Sequence, residues 1–154
     1  MSRAFVRNSD DDPQLLPERP VSPHPNFVTP RGLAAIEARV RELEGERQAA
    51  READDAPLRA RLERDLRYWS ARRASARVVE PAAATDRVRF GMQVTLHLAT
   101  GATRVWRLVG EDEADATQGL LSWVSPLAQA LLGRAVGEPV TLQGGEAEIV
   151  SIEP

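Results

Sequence analysis

Between residues 29 and 80 the apolar positions recur at helical spacing. Leu33, Ile36, Val40 and Leu43 are separated by three, four and three residues, and the series continues through Arg47 to Ala50. One helix face is therefore apolar at its base and weak toward its far end, which predicts a coiled-coil seam. Thr29 suits the N-cap and Pro30 the first helical position, with no further proline before Pro57. After Asp54-Asp55-Ala56, Pro57 suits the first turn of a second helix with Asp55 as its N-cap. Leu58, Leu62, Leu66, Trp69, Arg73 and Ala76 supply the facing stripe. Two helices joined by so short a connection run antiparallel.

Past a linker at residues 80–85 the period changes from helical to alternating. Val88 to Phe90, Gln93 to Ala99 and Ala102 to Val109 read as strands, with Thr100-Gly101 as the turn between the second and third. Leu120 to Val124 is a further strand. Ser125-Pro126 then caps a short helix, Leu127 to Leu132, which Gly133 ends. Val140 to Leu142 and Ala147 to Ile152 flank Gly144-Gly145, a hairpin signal. The expected fold class is α+β: an N-terminal antiparallel coiled-coil hairpin over residues 29–79, then a small, mainly antiparallel sheet domain with one short helix over residues 86–154. Residues 1–28 hold five of the chain's eleven prolines together with Asp10, Asp11 and Asp12, and read as an extended arm. Its short apolar patches, Ala4-Phe5-Val6 and Phe27-Val28, could dock on the body.

Composition removes several function classes. No apolar run approaches the roughly 20 residues needed to cross a bilayer, and the N-terminus lacks the apolar core of a signal peptide, so a cytoplasmic location without membrane contact is expected. The chain has no cysteine and two histidines, one of them in SPHPN, which offers neither thiolate chemistry nor a zinc ligand set. All 20 basic residues are arginine, and the net charge of -3 conceals an asymmetry. Residues 31–77 carry 12 arginines against 9 acids, whereas residues 81–154 carry 5 against 9, so the two halves face different surroundings.

Within the second half, Val109-Gly110, Glu113-Ala114-Asp115, Gly119, Leu121-Ser122, Ser125-Pro126, Ala128, Ala130-Leu131, Gly133 and Val136-Gly137 form a specific constellation. Together with the upstream VTPRGLAAIEARVREL and ASARVVEP, it resembles the GreA/GreB family of bacterial transcription elongation factors over residues 28–154. The resemblance implies a C-terminal domain folded like the FK506-binding proteins that docks on RNA polymerase, and a coiled coil that enters the polymerase's secondary channel. It also implies an accessory factor and not an enzyme. No cofactor is bound by the chain alone; acids at the tip help hold a magnesium ion in the polymerase's own active site, which then cuts the 3' end of backtracked RNA. Carboxylate oxygens are the hard ligands such an ion takes.

The acids at the expected tip are Glu52, Asp54 and Asp55, with Glu52 and Asp55 three residues apart. The family's usual glycine-containing stretch, ending in asparagine and an aromatic residue, is missing here. A helix from Pro30 to Ala53 would be about 36 Å long, roughly two turns shorter than in the well-known cleavage factors. Three readings of these acids stay open: a helix end followed by an N-cap, a magnesium-holding tip adapted to a shorter hairpin, or an acidic tip that blocks the channel without promoting cleavage.

By the same resemblance, Ser125 and Pro126 contact a coiled coil of the polymerase's largest subunit, with Trp123 and Leu127 as candidates to complete an apolar patch or else as core residues. Arg47, Arg51, Arg59 and Arg61 are candidates to lie near the nascent RNA 3' end, or else solvated partners of helix-spaced acids. The alternative to a cleavage factor is an Rnk-like or inhibitory polymerase-binding module that competes for the channel. Prolyl isomerase activity, which the FK506-binding fold also suggests, needs an aromatic-lined pocket, and the second half offers only Phe90, Trp106 and Trp123.

Overall fold

The structure, a computed structural model, describes residues 16–154, so Ala4-Phe5-Val6 and the Asp10–Asp12 run lie outside the described residues. The elements in chain order are β1 (Phe27–Val28), α1 (Pro30–Glu52), α2 (Ala56–Ser75), β2 (Arg77–Val78), β3 (Gln93–Leu98), β4 (Thr103–Val109), β5 (Leu120–Ser122), α3 (Pro126–Leu131), β6 (Pro139–Leu142) and β7 (Gly145–Glu153). Two 3-10 turns, Glu111–Glu113 and Ala116–Gln118, lie between β4 and β5. The described residues form two compact units: residues 16–23 with Ile36–Ser75, and His24–Ala35 with Ala76–Pro154.

The first unit is the helical hairpin. Val40, Leu43 and Ala50 of α1 bury against Leu62 and Leu66 of α2, with Trp69 packed beside them. That is the seam the spacing predicts, and its two ends depart from the expectation. Leu58 is 39% exposed, because beyond Ala50 α1 offers it only the exposed Arg51 and Glu52. At the other end the buried arginine is Arg72, 1% exposed, while Arg73 is exposed. The apolar repeat stops at Trp69, so no apolar side chain dictates which of the two neighbouring arginines turns inward.

The second unit is built on a five-stranded sheet of order β5-β4-β3-β7-β6. Its pairings are antiparallel apart from β4 with β5, which are parallel. Alternation along β3 sends Val94 and Leu96 into the core and Thr95 and His97 away from it. Met92, Leu108, Ile149 and Ile152 join them, and α3 closes the core with Ala128 and Leu131.

Two segments differ from the sequence expectation. Val88 to Phe90 is not a strand: Val88 exchanges two backbone hydrogen bonds with the loop at Gly133 and Arg134, and the chain then turns through Gly91 into β3. Its side chain is buried, which explains why three apolar-alternating residues mimic a strand. Conversely β1 pairs in parallel with β2, Phe27 opposite Arg77 and Val28 opposite Val78. Two-residue strands carry too little periodicity to be read, although Phe27-Val28 does dock, with Val28 fully buried.

The root of α1 is held by a carboxylate. Thr29 is the N-cap: its carbonyl accepts from Leu33 N–H and its hydroxyl accepts from Gly32 N–H, both at 3.0 Å. That hydroxyl donates to Oε1 of Glu113, whose Oε2 accepts from the Thr29 and Gly110 backbone N–H groups, each at 3.1 Å. Both glycines are required by close approach. A Cβ on Gly32 would lie 2.1 Å from the Glu113 carboxyl carbon, and one on Gly110 would lie 2.5 Å from the Phe27 carbonyl oxygen.

Two outcomes test this description. Leu43→Ala and Leu62→Ala should each destabilise the hairpin by about 2–4 kcal/mol in thermal or denaturant unfolding. Gly32→Ala must push the Glu113 side chain off its donors, so Gly32→Ala and Glu113→Ala should each cost about 1–3 kcal/mol. Their double variant should cost much less than the sum, because both lose the same clamp; additive losses would show that the two residues act separately.

Candidate functional site

Two places gather the residues singled out by the sequence: the turn of the hairpin and the start of α3.

At the turn, backbone chemistry accounts for much of the acidic run. Asp55 N–H reaches the Ala50 carbonyl at 2.9 Å and Asp54 N–H reaches the Arg51 carbonyl at 3.1 Å, the paired bonds of a Schellman termination. That motif requires a left-handed residue, and Asp54 takes the position with φ of 53° where glycine is usual. Asp55 then caps α2, its Oδ1 accepting from Leu58 N–H at 3.0 Å. Glu52 accepts from Gln48 Nε2 at 3.0 Å, one helical turn back. Asp54 is the member of the three whose carboxylate takes no hydrogen bond or ion pair from the described residues. Among the described residues no three acidic or histidine side chains converge as a metal site.

The candidate arginines differ in their surroundings. Arg51 pairs across the hairpin with Glu63 at 3.7 Å. Arg47 is half-buried beside Glu44, Glu63, Arg67 and Ser70, and its Nε has no hydrogen-bond partner. Arg59 is half-buried and Arg61 exposed.

At the start of α3, Ser125 is the N-cap, its hydroxyl accepting from Ala128 N–H at 3.3 Å, with Pro126 in the first turn. Ser125, Pro126 and Leu127 line one wall of an open, mainly apolar groove of about 500 Å³. Leu121 and Ala130, Thr141 and Leu142 of β6, and Gln143 and Gly144 of the β6–β7 turn line the rest of it. The last four were missed in the sequence, where Gly144-Gly145 signalled only a hairpin; a turn's spatial neighbour leaves no periodic trace.

Trp123 is not in that lining. Its ring packs against Phe27 at 5.2 Å and edge-on to His24 at 6.1 Å between centroids, and its buried Nε1 has no hydrogen-bond partner. Its carbonyl accepts from Gln129 Nε2 at 2.7 Å, so it also steadies the first turns of α3. Leu127 lines the groove and also packs against the core. Of the motif residues upstream, Asp115 caps the second 3-10 turn, and the hydrogen bond from the Thr117 hydroxyl holds its carboxyl below the ordinary aspartate value. Glu113 and Asp115 are thus structural acids.

Residues 83–154 match the family model described as transcription elongation factor, GreA/GreB, C-terminal. The chain is 34% identical over 149 aligned residues to transcription elongation factor GreA of Ruegeria pomeroyi, covering 82% of this chain and 96% of that protein. It is 38% identical over 98 residues to transcription elongation factor GreB of Neisseria meningitidis serogroup A, covering 60% of each. Among solved structures it is similar to GreA factor homolog 1 (Gfh1) of Thermus thermophilus, at 21% identity and a TM-score of 0.42, with 85% of this chain and all of that one covered.

The division of labour at the turn is measurable. Asp55→Ala should cost the hairpin about 1 kcal/mol through loss of its cap. Asp54→Gly should raise the melting temperature, because glycine adopts the left-handed position without strain; a fall would show that the Asp54 side chain stabilises the turn.

Proposed function

The chain belongs to the GreA/GreB family, and from that premise we propose that it is a transcription elongation regulator that binds RNA polymerase through its C-terminal unit and presents the helical hairpin to the secondary channel. The observation that carries this reading is the groove beside Ser125 and Pro126, within the segment that matches the family model. An open apolar groove rimmed by a serine and the β6–β7 turn suits an apolar side chain on a partner helix, with polar groups at the edge to fix its register. The partner is the coiled coil of the polymerase's largest subunit. The protein has no reaction of its own in this reading; the chemistry belongs to the polymerase.

The tip decides between stimulation and competition. A magnesium ion at the polymerase centre would supply activation of water for attack on the RNA backbone, and Asp54, with Glu52 or Asp55, is the acid this chain would offer it. Asp54 is the one whose carboxylate takes no hydrogen bond from the described residues, whereas Glu52 and Asp55 each have one oxygen engaged and the other available. At 23 residues α1 is about 34 Å long. The short helix favours competition: the protein occupies the channel and competes with a longer factor, with cleavage stimulated weakly. The candidate RNA-proximal arginines fit either reading, since Arg61 is exposed and Arg47, Arg51 and Arg59 line the hairpin.

Replacing Ser125 and Pro126 together should weaken binding to core polymerase at least tenfold while the far-UV spectrum and melting of the C-terminal unit stay close to wild type. Unchanged affinity would remove the groove as the dock. On backtracked elongation complexes, the wild type should displace a cleavage-competent factor while releasing little 3' RNA itself. Robust cleavage that Asp54→Asn with Asp55→Asn abolishes would instead establish the tip as a magnesium holder.

A further inference from the structure

Ahead of β1 the described chain reads LPERPVSPHPN, and its two formally charged side chains, Glu18 and Arg19, are both engaged by α2. The guanidinium of Arg67 donates to both carboxylate oxygens of Glu18, from Nε at 2.9 and 3.0 Å and from Nη2 at 2.6 Å. One residue on, Arg19 Nη1 lies 3.4 Å from Asp65 Oδ1, and its guanidinium carbon sits 4.0 Å from the centroid of the Tyr68 ring and 5.8 Å from that of Trp69. Four neighbouring residues of α2, Asp65, Arg67, Tyr68 and Trp69, thus receive two neighbouring residues of the arm.

The arm's own pattern has a period of three. Pro17, Pro20 and Pro23 are exposed, as are Glu18 and Val21, whereas Leu16, Arg19 and Ser22 are half-buried. Three residues per turn is the period of a polyproline II helix, in which Leu16, Arg19 and Ser22 share one face. Prolines at every third position restrict φ before the segment touches anything, so little conformational freedom is lost when it docks. Leu16 is the one large apolar side chain on the docked face. The exposed Glu18–Arg67 pair has the bidentate geometry that makes a surface ion pair more than incidental, and it is open to screening.

We propose that residues 16–23 form a preorganised polyproline strap clasped to α2 by a Glu18–Arg67 ionic latch, and that the strap detaches reversibly when the latch is screened or broken. Arg19 on Tyr68 and Asp65 is the second fastening, which keeps the strap in register while the latch closes. Detachment frees the guanidinium fork of Arg67 on the hairpin surface and leaves the segment extended, because its prolines and not its contacts set its shape. The strap would make the hairpin's surface charge depend on ionic strength.

The absence of cysteine from the chain makes the test direct. Spin labels at Val21→Cys and Arg61→Cys, both exposed positions outside the latch, report the strap's distance distribution in the full-length protein by pulsed dipolar spectroscopy. At low salt the distribution should be narrow. It should broaden at least twofold at about 1 M salt, where the screening length is about 3 Å, and in Glu18→Gln, Glu18→Arg and Arg67→Glu. The charge swap Glu18→Arg with Arg67→Glu should restore the narrow distribution. A width that Glu18→Gln and high salt leave unchanged overturns the latch, since Glu18 lies outside the helices and its loss cannot act by melting them. A swap that stays as broad as the single changes, with helical content intact, overturns the pairing.

Discussion

The carboxylate of Glu113 joins stretches of chain that the sequence places far apart. It takes the Thr29 N–H and hydroxyl from the entrance of α1 and the Gly110 N–H from the exit of β4. A negative charge at a helix N-terminus meets the unsatisfied N–H groups and the positive end of the dipole, so one side chain serves as both cap and electrostatic complement. The approach demands that Gly32 and Gly110 have no Cβ, and the same crossing brings Phe27 and Val28 against β2. α1 starts at this clamp and runs unbroken to Glu52.

Acids at the other end of α1 are subject to a competition between structure and chemistry. A helix that must stop and restart within three residues needs a left-handed position and an N-cap at once, and aspartate is one of the few residue types that tolerates both. Asp55 ends one helix through its N–H and starts the next through its carboxylate. Asp54, exposed at the left-handed position, is the acid of the run whose carboxylate takes no hydrogen bond or ion pair from the described residues. The tip acids are therefore not equivalent, although the sequence presents them as a run.

The groove beside α3 follows from a different constraint. Ser125 and Pro126 start a helix only six residues long, too short to be stable without the core contacts of Ala128 and Leu131. Those contacts seat the helix near β6, and the groove is lined by residues of α3, β6 and the β6–β7 turn. Trp123 packs its ring on Phe27 and His24, just before the turn that leads into Ser125.

The long elements were legible because their signals are local. The hairpin seam from Ile36 to Leu66, the caps at Thr29, Asp55 and Ser125, and the alternation in β3, β4 and β7 all rest on spacing within a few residues, where side-chain direction is fixed by helix or strand period. The acids of the turn and the Ser125-Pro126 pair were equally visible as residues in place. Tertiary structure alone decided the rest. It determined that Val88 to Phe90 pairs with a loop, that β1 and β2 pair across 50 residues, and that Arg72 and not Arg73 is buried. It also determined that Glu113 reaches Thr29, that Glu18 reaches Arg67, and that the β6–β7 turn and Ser125 line one groove. Each of these is a contact between segments remote in sequence, whose partner is chosen by packing and hydrogen-bond satisfaction over the whole unit and not by any period along the chain.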